Sequence, residues 1–266
     1  MRRLAYASIA FCLSLISPAF AAEIPVDIEL VFAIDVSGSV DWEEARLQRG
    51  GYIEALRSEE VINAIRGGAH GKIAVAYVEW AGTYLQRTVI DWTVLDGAET
   101  MAAFTDTLSK APIESGPWTS ISAAIQYIVP MFGRNDYQGT RKVIDISGDG
   151  PNNLGIPVLD ARAMALAAGI TINGLPIVND NSGPGNTRNI RDLDRYYREC
   201  VIGGAGAFMI VANDFKDFAT AIKRKLIFEI AGLFPPGDTS NVVPVQTPDA
   251  QYCLVGERQF RGGGQY

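Results

Sequence analysis

Apolar positions along this chain fall into short unbroken runs separated by stretches of helical periodicity, and Val31-Phe32-Ala33-Ile34 shows the type. No polar residue alternates inside that run, so it predicts a strand buried on both faces, as in a parallel sheet covered by helices. Lys72 to Trp80, Arg141 to Ser147, Ile170 to Val178 and Ala207 to Ala212 predict further strands. Gln86 to Val94 follows Trp80 after only a turn at Gly82, so these two strands are antiparallel. Helical spacing fills the intervals. It predicts helices over Asp41 to Arg57, Ser58 to Ile65, Ala98 to Lys110, Asp160 to Ala168, Arg191 to Cys200 and Asp214 to Ile230. Another places Ile121, Ala124, Ile125, Ile128 and Phe132 on its buried face. Such alternation predicts an α/β fold: a doubly wound, mostly parallel central sheet with one antiparallel edge strand and helices on both faces.

The ends read differently. Residues 1–21 have a charged start (Arg2, Arg3), an apolar stretch from Leu4 to Ile16 and a small-x-small site at Ala19-Phe20-Ala21, the pattern of a signal peptide cleaved before Ala22. The expected products are an exported chain, periplasmic or secreted, with a domain over 22–232 and a Pro/Gly-rich tail over 233–266, disordered at Gly262-Gly263-Gly264. No other segment is apolar for long enough to span a bilayer. Cleavage takes the 23 basic residues to 21 against 30 acidic ones, a net charge of −9, which argues against nucleic acid and anionic membranes as partners. Cys12 leaves with the signal. In an oxidising compartment Cys200 and Cys253 are then expected to bridge, tying the tail to the body.

Candidate chemistry begins where the first strand ends, at Asp35-Val36-Ser37-Gly38-Ser39. Ligands of open α/β sheets sit at the carboxyl ends of the strands. Carboxylate and hydroxyl oxygens without sulfur or imidazole suit Mg2+, Ca2+ or Mn2+ rather than zinc or copper. Taken alone, these five residues also read as a turn in which Asp35 and a serine cap neighbouring elements. Two later stretches repeat the theme. Glu114-Ser115-Gly116-Pro117-Trp118-Thr119-Ser120 delivers hydroxyls to the start of a helix, and Gly148-Asp149-Gly150-Pro151-Asn152-Asn153 follows another apolar strand.

In this order, the three stretches resemble the von Willebrand factor A family from about Val26 to Ile230, nearest an exported bacterial branch. The resemblance implies a metal-ion-dependent adhesion site. Ser37 and Ser39 then coordinate Mg2+ directly, Thr119 directly or through water, and Asp35 and Asp149 mainly through water. Mg2+ keeps near-octahedral geometry and retains waters, so a site with few direct protein ligands leaves a position for a carboxylate of a protein partner. Mn2+ or Ca2+ are alternatives to Mg2+. The chain departs from the family in placing Gly148 between Ser147 and Asp149, which leaves Asp145 as an alternative late carboxylate, or as a strand acid paired with Arg141 or Lys142.

Two other classes compete with a binding module. A haloacid-dehalogenase-like phosphotransferase also carries an aspartate at the end of its first strand, but needs a second one two positions later, where this chain has Ser37. A two-lobed solute-binding protein needs more strands than are present. His70, the single histidine, reads as a loop residue, and no G-x-S-x-G, CxxC, HExxH or phosphate-loop pattern occurs. Asn179 to Asn186 reads as a surface loop near the ligand face, and a metal-free von Willebrand A scaffold is the remaining alternative.

Overall fold

A computed structural model describes residues 23–178, 190, 192–232 and 249–262. The expected signal peptide over 1–21, the expected surface loop at Asn179 to Asn186, Arg191 and tail residues 233–248 and 263–266, with Gly263 and Gly264 of the expected disorder, lie outside the described residues. Its centre is a five-stranded sheet in the order β4-β3-β2-β6-β7. These strands are β2 (Glu29–Asp35), β3 (Ile73–Trp80), β4 (Gln86–Leu95), β6 (Lys142–Gly148) and β7 (Thr171–Pro176). All pairs are parallel except β3 with the edge strand β4. A separate parallel pair joins β1 (Ile24–Val26) to β5 (Tyr137–Gly139).

Alternation along β2 divides the interior into two cores. Leu30, Phe32 and Ile34 face α1 (Trp42–Arg57), α2 (Glu59–Arg66), α3 (Ala98–Lys110) and α7 (Phe218–Ala231). Val31 and Ala33 face α4 (Ile121–Ile128), α5 (Val158–Ala167) and α6 (Leu193–Tyr196), the last continued by a π-helical turn over Tyr197–Val201. Every residue of β2 is buried, as expected of a strand with helices on both sides.

Ala207 to Ala212 differs from expectation. It runs beside β7 but forms isolated bridges at Gly174↔Met209 and Ile177↔Ala212 instead of a strand. The interruption has a local cause: Ile210 N–H donates to the Gly174 carbonyl and Ala212 N–H to that of Pro176, but Pro176 has no N–H to return the bond between them. The distal tail is also more ordered than its composition predicts, since residues 252–254 make a 3-10 turn and Val255–Gly262 a helix, α8. Cys200 and Cys253 form a disulfide with Cα atoms 5.5 Å apart.

Candidate functional site

At the carboxyl end of β2 and β6, three loops converge. Asp35 closes β2, and its Oδ1 accepts the Ser37 N–H at 2.7 Å, curling the chain so that the Ser37 and Ser39 hydroxyls come within 3.0 Å of each other. Ser39 Oγ donates to Asp149 Oδ1 at 2.7 Å, across 110 residues of sequence. Thr119 Oγ1 donates to Ser37 Oγ at 3.3 Å. All five expected residues are thus brought into one cluster.

Backbone contacts hold the second loop against the first. Gly116 bridges Ser37, with its N–H on the Val36 carbonyl, and Ser120 N–H reaches the Ala81 carbonyl. Between them Trp118 takes φ +69°, a left-handed conformation rare for a bulky residue, and its half-exposed ring stands at the rim. Ser120 turns away from the cluster. Its hydroxyl accepts the Ala123 N–H as the cap of α4 and donates to the Leu154 carbonyl.

Electrostatically the cluster is unbalanced. Asp35, Ser37, Thr119 and Asp149 are all buried, and Asp35 Oδ2 has no hydrogen-bond partner among the described residues. Burial, and then the Asp149 charge, raise the Asp35 carboxyl well above its ordinary value. Burial also pushes Asp149 up to about 6, with Glu44 adding to the shift and the Ser39 hydroxyl opposing it. Hydroxyls and backbone N–H groups are what offset burial here. Such a pair of desolvated carboxylates beside three hydroxyls is short of positive charge. Among the described residues there is no cluster of three or more His, Cys, Asp or Glu side chains, so a cation at this place would rely on hydroxyls together with two acids. That all-oxygen set fits a small hard cation.

Asp145 lies elsewhere. Strand alternation turns it to the opposite face of β6 from Ile144 and Ile146, toward α7, where its Oδ1 meets Lys225 Nζ at 2.6 Å. The base expected in its own strand is not its partner. Arg141 instead donates to the carbonyls of Glu229 and Ile230 at the end of α7, while Lys142 Nζ lies 3.9 Å from Glu29. His70 is exposed, in a loop whose N–H groups are taken by Asp27.

Several contributors carried no recognisable signal in the sequence. A Cβ on Gly148 would lie 2.8 Å from both Asp35 Oδ2 and Tyr197 Oη, so the glycine that interrupts the expected register is what admits these two groups. Tyr197 comes from the π-helical turn, and its buried hydroxyl has no partner among the described residues. Asn153 Oδ1 accepts the Thr119 N–H and its own N–H returns to the Thr119 carbonyl, both at 2.9 Å. Gly148, Asn152 and Asn153 lie in the stretch around Asp149 that the sequence marks out, whereas nothing there points to Tyr197.

A family model described as "Protein of unknown function (DUF1194)" matches residues 25–234. No curated protein matches the chain. Among solved structures, proximal thread matrix protein 1 from the mussel byssus, in a form described as having a zinc occupied MIDAS motif, is similar at TM-score 0.56 and 18% identity, over 79% of this chain and 49% of that one. A von Willebrand factor type A structure from Catenulispora acidiphila is similar at TM-score 0.54 and 13% identity, over 79% and 43%. The pilus adhesin SpaC from Lactobacillus rhamnosus GG is similar at TM-score 0.56 and 13% identity, over 78% and 31%. This chain therefore spans half or less of each of these proteins, and what it shares with them is a von Willebrand A-like fold.

Proposed function

The chain belongs to the DUF1194 family, proteins of unknown function, over residues 25–234, and from that premise we propose that it is an exported binding module with a metal-ion-dependent adhesion site. Ser37 and Ser39 would hold Mg2+, or Mn2+ or Ca2+ in its place, with Thr119, and Asp35 and Asp149 would act mainly through water. A carboxylate of a protein partner would take the remaining position. One observation carries this reading: Asp35 and Asp149 are buried together, their values raised, with Asp35 Oδ2 unpartnered among the described residues. A divalent cation supplies the missing charge and leaves the site near neutral, open to an acidic ligand. The zinc occupied MIDAS motif described for the byssus protein, which shares the fold, supports a cation site of this kind.

The signal-peptide pattern of residues 1–21, with the domain at 22–232 and the tail at 233–266, supports export. Among the described residues no helix is long and apolar enough to cross a membrane, in keeping with a module that meets its partner through this edge. A phosphotransferase reading lacks its second acid, because Ser37 occupies that place and a hydroxyl is no general acid near neutral pH.

The test is calorimetric titration of the chelator-treated protein with Mg2+ and Mn2+. One-site binding that survives Asp145→Ala and disappears in Asp149→Ala, Asp35→Ala and Ser37→Ala, each still folded by circular dichroism, is the expected result. Wild-type affinity in the last three variants overturns it. Absence of binding in the unaltered protein leaves the metal-free scaffold as the better account.

A further inference from the structure

The tail beyond the family span is built into the site. Residues 249–262 follow a stretch outside the described residues and dock on the body through Cys253 and Tyr252. Tyr252 packs beside Tyr196 at 6.4 Å between ring centroids, with the Arg195 guanidinium 4.3 Å above its ring. This docking presents the start of α8 to the loop that carries Asp149. Gly256 lies so near that a Cβ would fall 2.1 Å from the Asn152 carbonyl oxygen, an approach open to glycine alone. The next residue, Glu257, is buried and its Oε1 accepts from Asn152 Nδ2 at 2.8 Å.

That contact decides which way the Asn152 amide faces. With Nδ2 donating to Glu257 and the Ile156 carbonyl, Oδ1 is left to accept the Ser122 N–H at 2.9 Å, an otherwise unsatisfied donor in the first turn of α4. Asn152 N–H meanwhile donates to Tyr196 Oη. The neighbouring Asn153 clamps Thr119, its Oδ1 accepting the Thr119 N–H and its own N–H donating to the Thr119 carbonyl. A continuous chain of hydrogen bonds and one backbone step therefore runs from the disulfide-held tail through Glu257, Asn152 and Asn153 to Thr119, whose hydroxyl meets Ser37.

The geometry points to Glu257 as a positioning residue of the cation site, acting through Asn152 and Asn153 from a segment outside the family span of 25–234. This rests on the cation reading above. Its consequence is that the third loop of the site is set by a part of the chain tethered by the Cys200–Cys253 disulfide.

The experiment pairs two readouts on the full mature chain: Mn2+ affinity followed by electron paramagnetic resonance, and hydrogen exchange of residues 117–124. Glu257→Ala removes the acceptor, and is expected to weaken Mn2+ binding about tenfold, as loss of a buried charged hydrogen bond does, and to speed exchange at Thr119 and Ser122. Glu257→Gln keeps an acceptor oxygen and is expected to restore both. Gly256→Val, which pushes α8 off the loop without touching a hydrogen-bonding side chain, is expected to behave like Glu257→Ala. Faster exchange with unchanged Mn2+ affinity, or no change in either readout, overturns the inference. If the unaltered protein binds no Mn2+, the cation reading fails and the positioning role in a cation site fails with it; faster exchange in Glu257→Ala would then report a structural latch alone.

Discussion

One buried acidic grouping sits on the α7 face of the sheet and another at the carboxyl ends of its strands, and the two are solved in opposite ways. On the α7 face, Asp145 and Glu229 surround Lys225, all three fully or almost fully buried, with Lys225 Nζ at 2.6 Å from Asp145 and 3.2 Å from Glu229. Asn173 Nδ2 donates to Glu229 Oε1 at 2.7 Å. At the strand ends, Asp35 and Asp149 have hydroxyls and backbone donors instead of a cation. The first grouping is closed and ties β6 to α7. The second has two carboxylates and no cation beside them, and under the proposed function that shortage is what separates a ligand site from a structural ion cluster when the carboxylates alone look alike.

The largest way to break the contrast is Lys225→Met. Two buried carboxylates would then lack their counter-charge, and a loss of about 3–5 kcal/mol in urea unfolding is expected. Gly148→Ala comes next. The new methyl meets Asp35 Oδ2 and Tyr197 Oη, so stability should fall by about 1–3 kcal/mol through overpacking, and Mg2+ affinity should fall with it because the Asp35 carboxyl is displaced.

Titration sharpens the comparison further. Asp149 is pushed up to about 6 and Asp35 well above the ordinary 3.8, so the cation-free folded chain holds protons that the unfolded chain has released. Stability of that form should therefore decline as pH rises from about 4 through about 6, with a slope on the order of 1 kcal/mol per pH unit for each proton so held. Millimolar Mg2+ should flatten the decline. Asp149→Asn should remove part of it, leaving the contribution of Asp35, which burial still raises, and that of Asp145, which burial pushes up to about 7 although Lys225 opposes the shift. The smallest effect expected is in Asp35→Asn without metal: a modest rise in the urea midpoint, opposite in sign to Lys225→Met, because a neutral amide replaces a carboxyl that folding forces to take up a proton.

Much of the fold was legible in the residues because its signals are local. The unbroken apolar run before Asp35 requires cover on both faces, and the short Trp80 to Gln86 connection allows only an antiparallel neighbour. Asp35, Ser37, Ser39, Thr119 and Asp149 each follow a strand or open a helix, and it is the resemblance to the von Willebrand factor A family that singles them out. Local spacing also misled at Ala207 to Ala212, where one proline on the neighbouring strand breaks the ladder.

What the chain determined by itself, then, is the strand and helix periodicity, the polar stretches after two strands and before a helix, and the presence of Cys200 and Cys253 beyond the signal-peptide pattern. Which acid belongs to which grouping was decided only in three dimensions. Asp145 and Asp149 lie four residues apart, yet the pleat turns the first to Lys225 and the bend after Gly148 brings the second to Ser39. The same holds for Tyr197, Glu257 and the cleft that Gly148 keeps open. Their roles depend on approaches between residues distant in sequence, and hydrophobic periodicity records which face is buried but not which polar group it meets there.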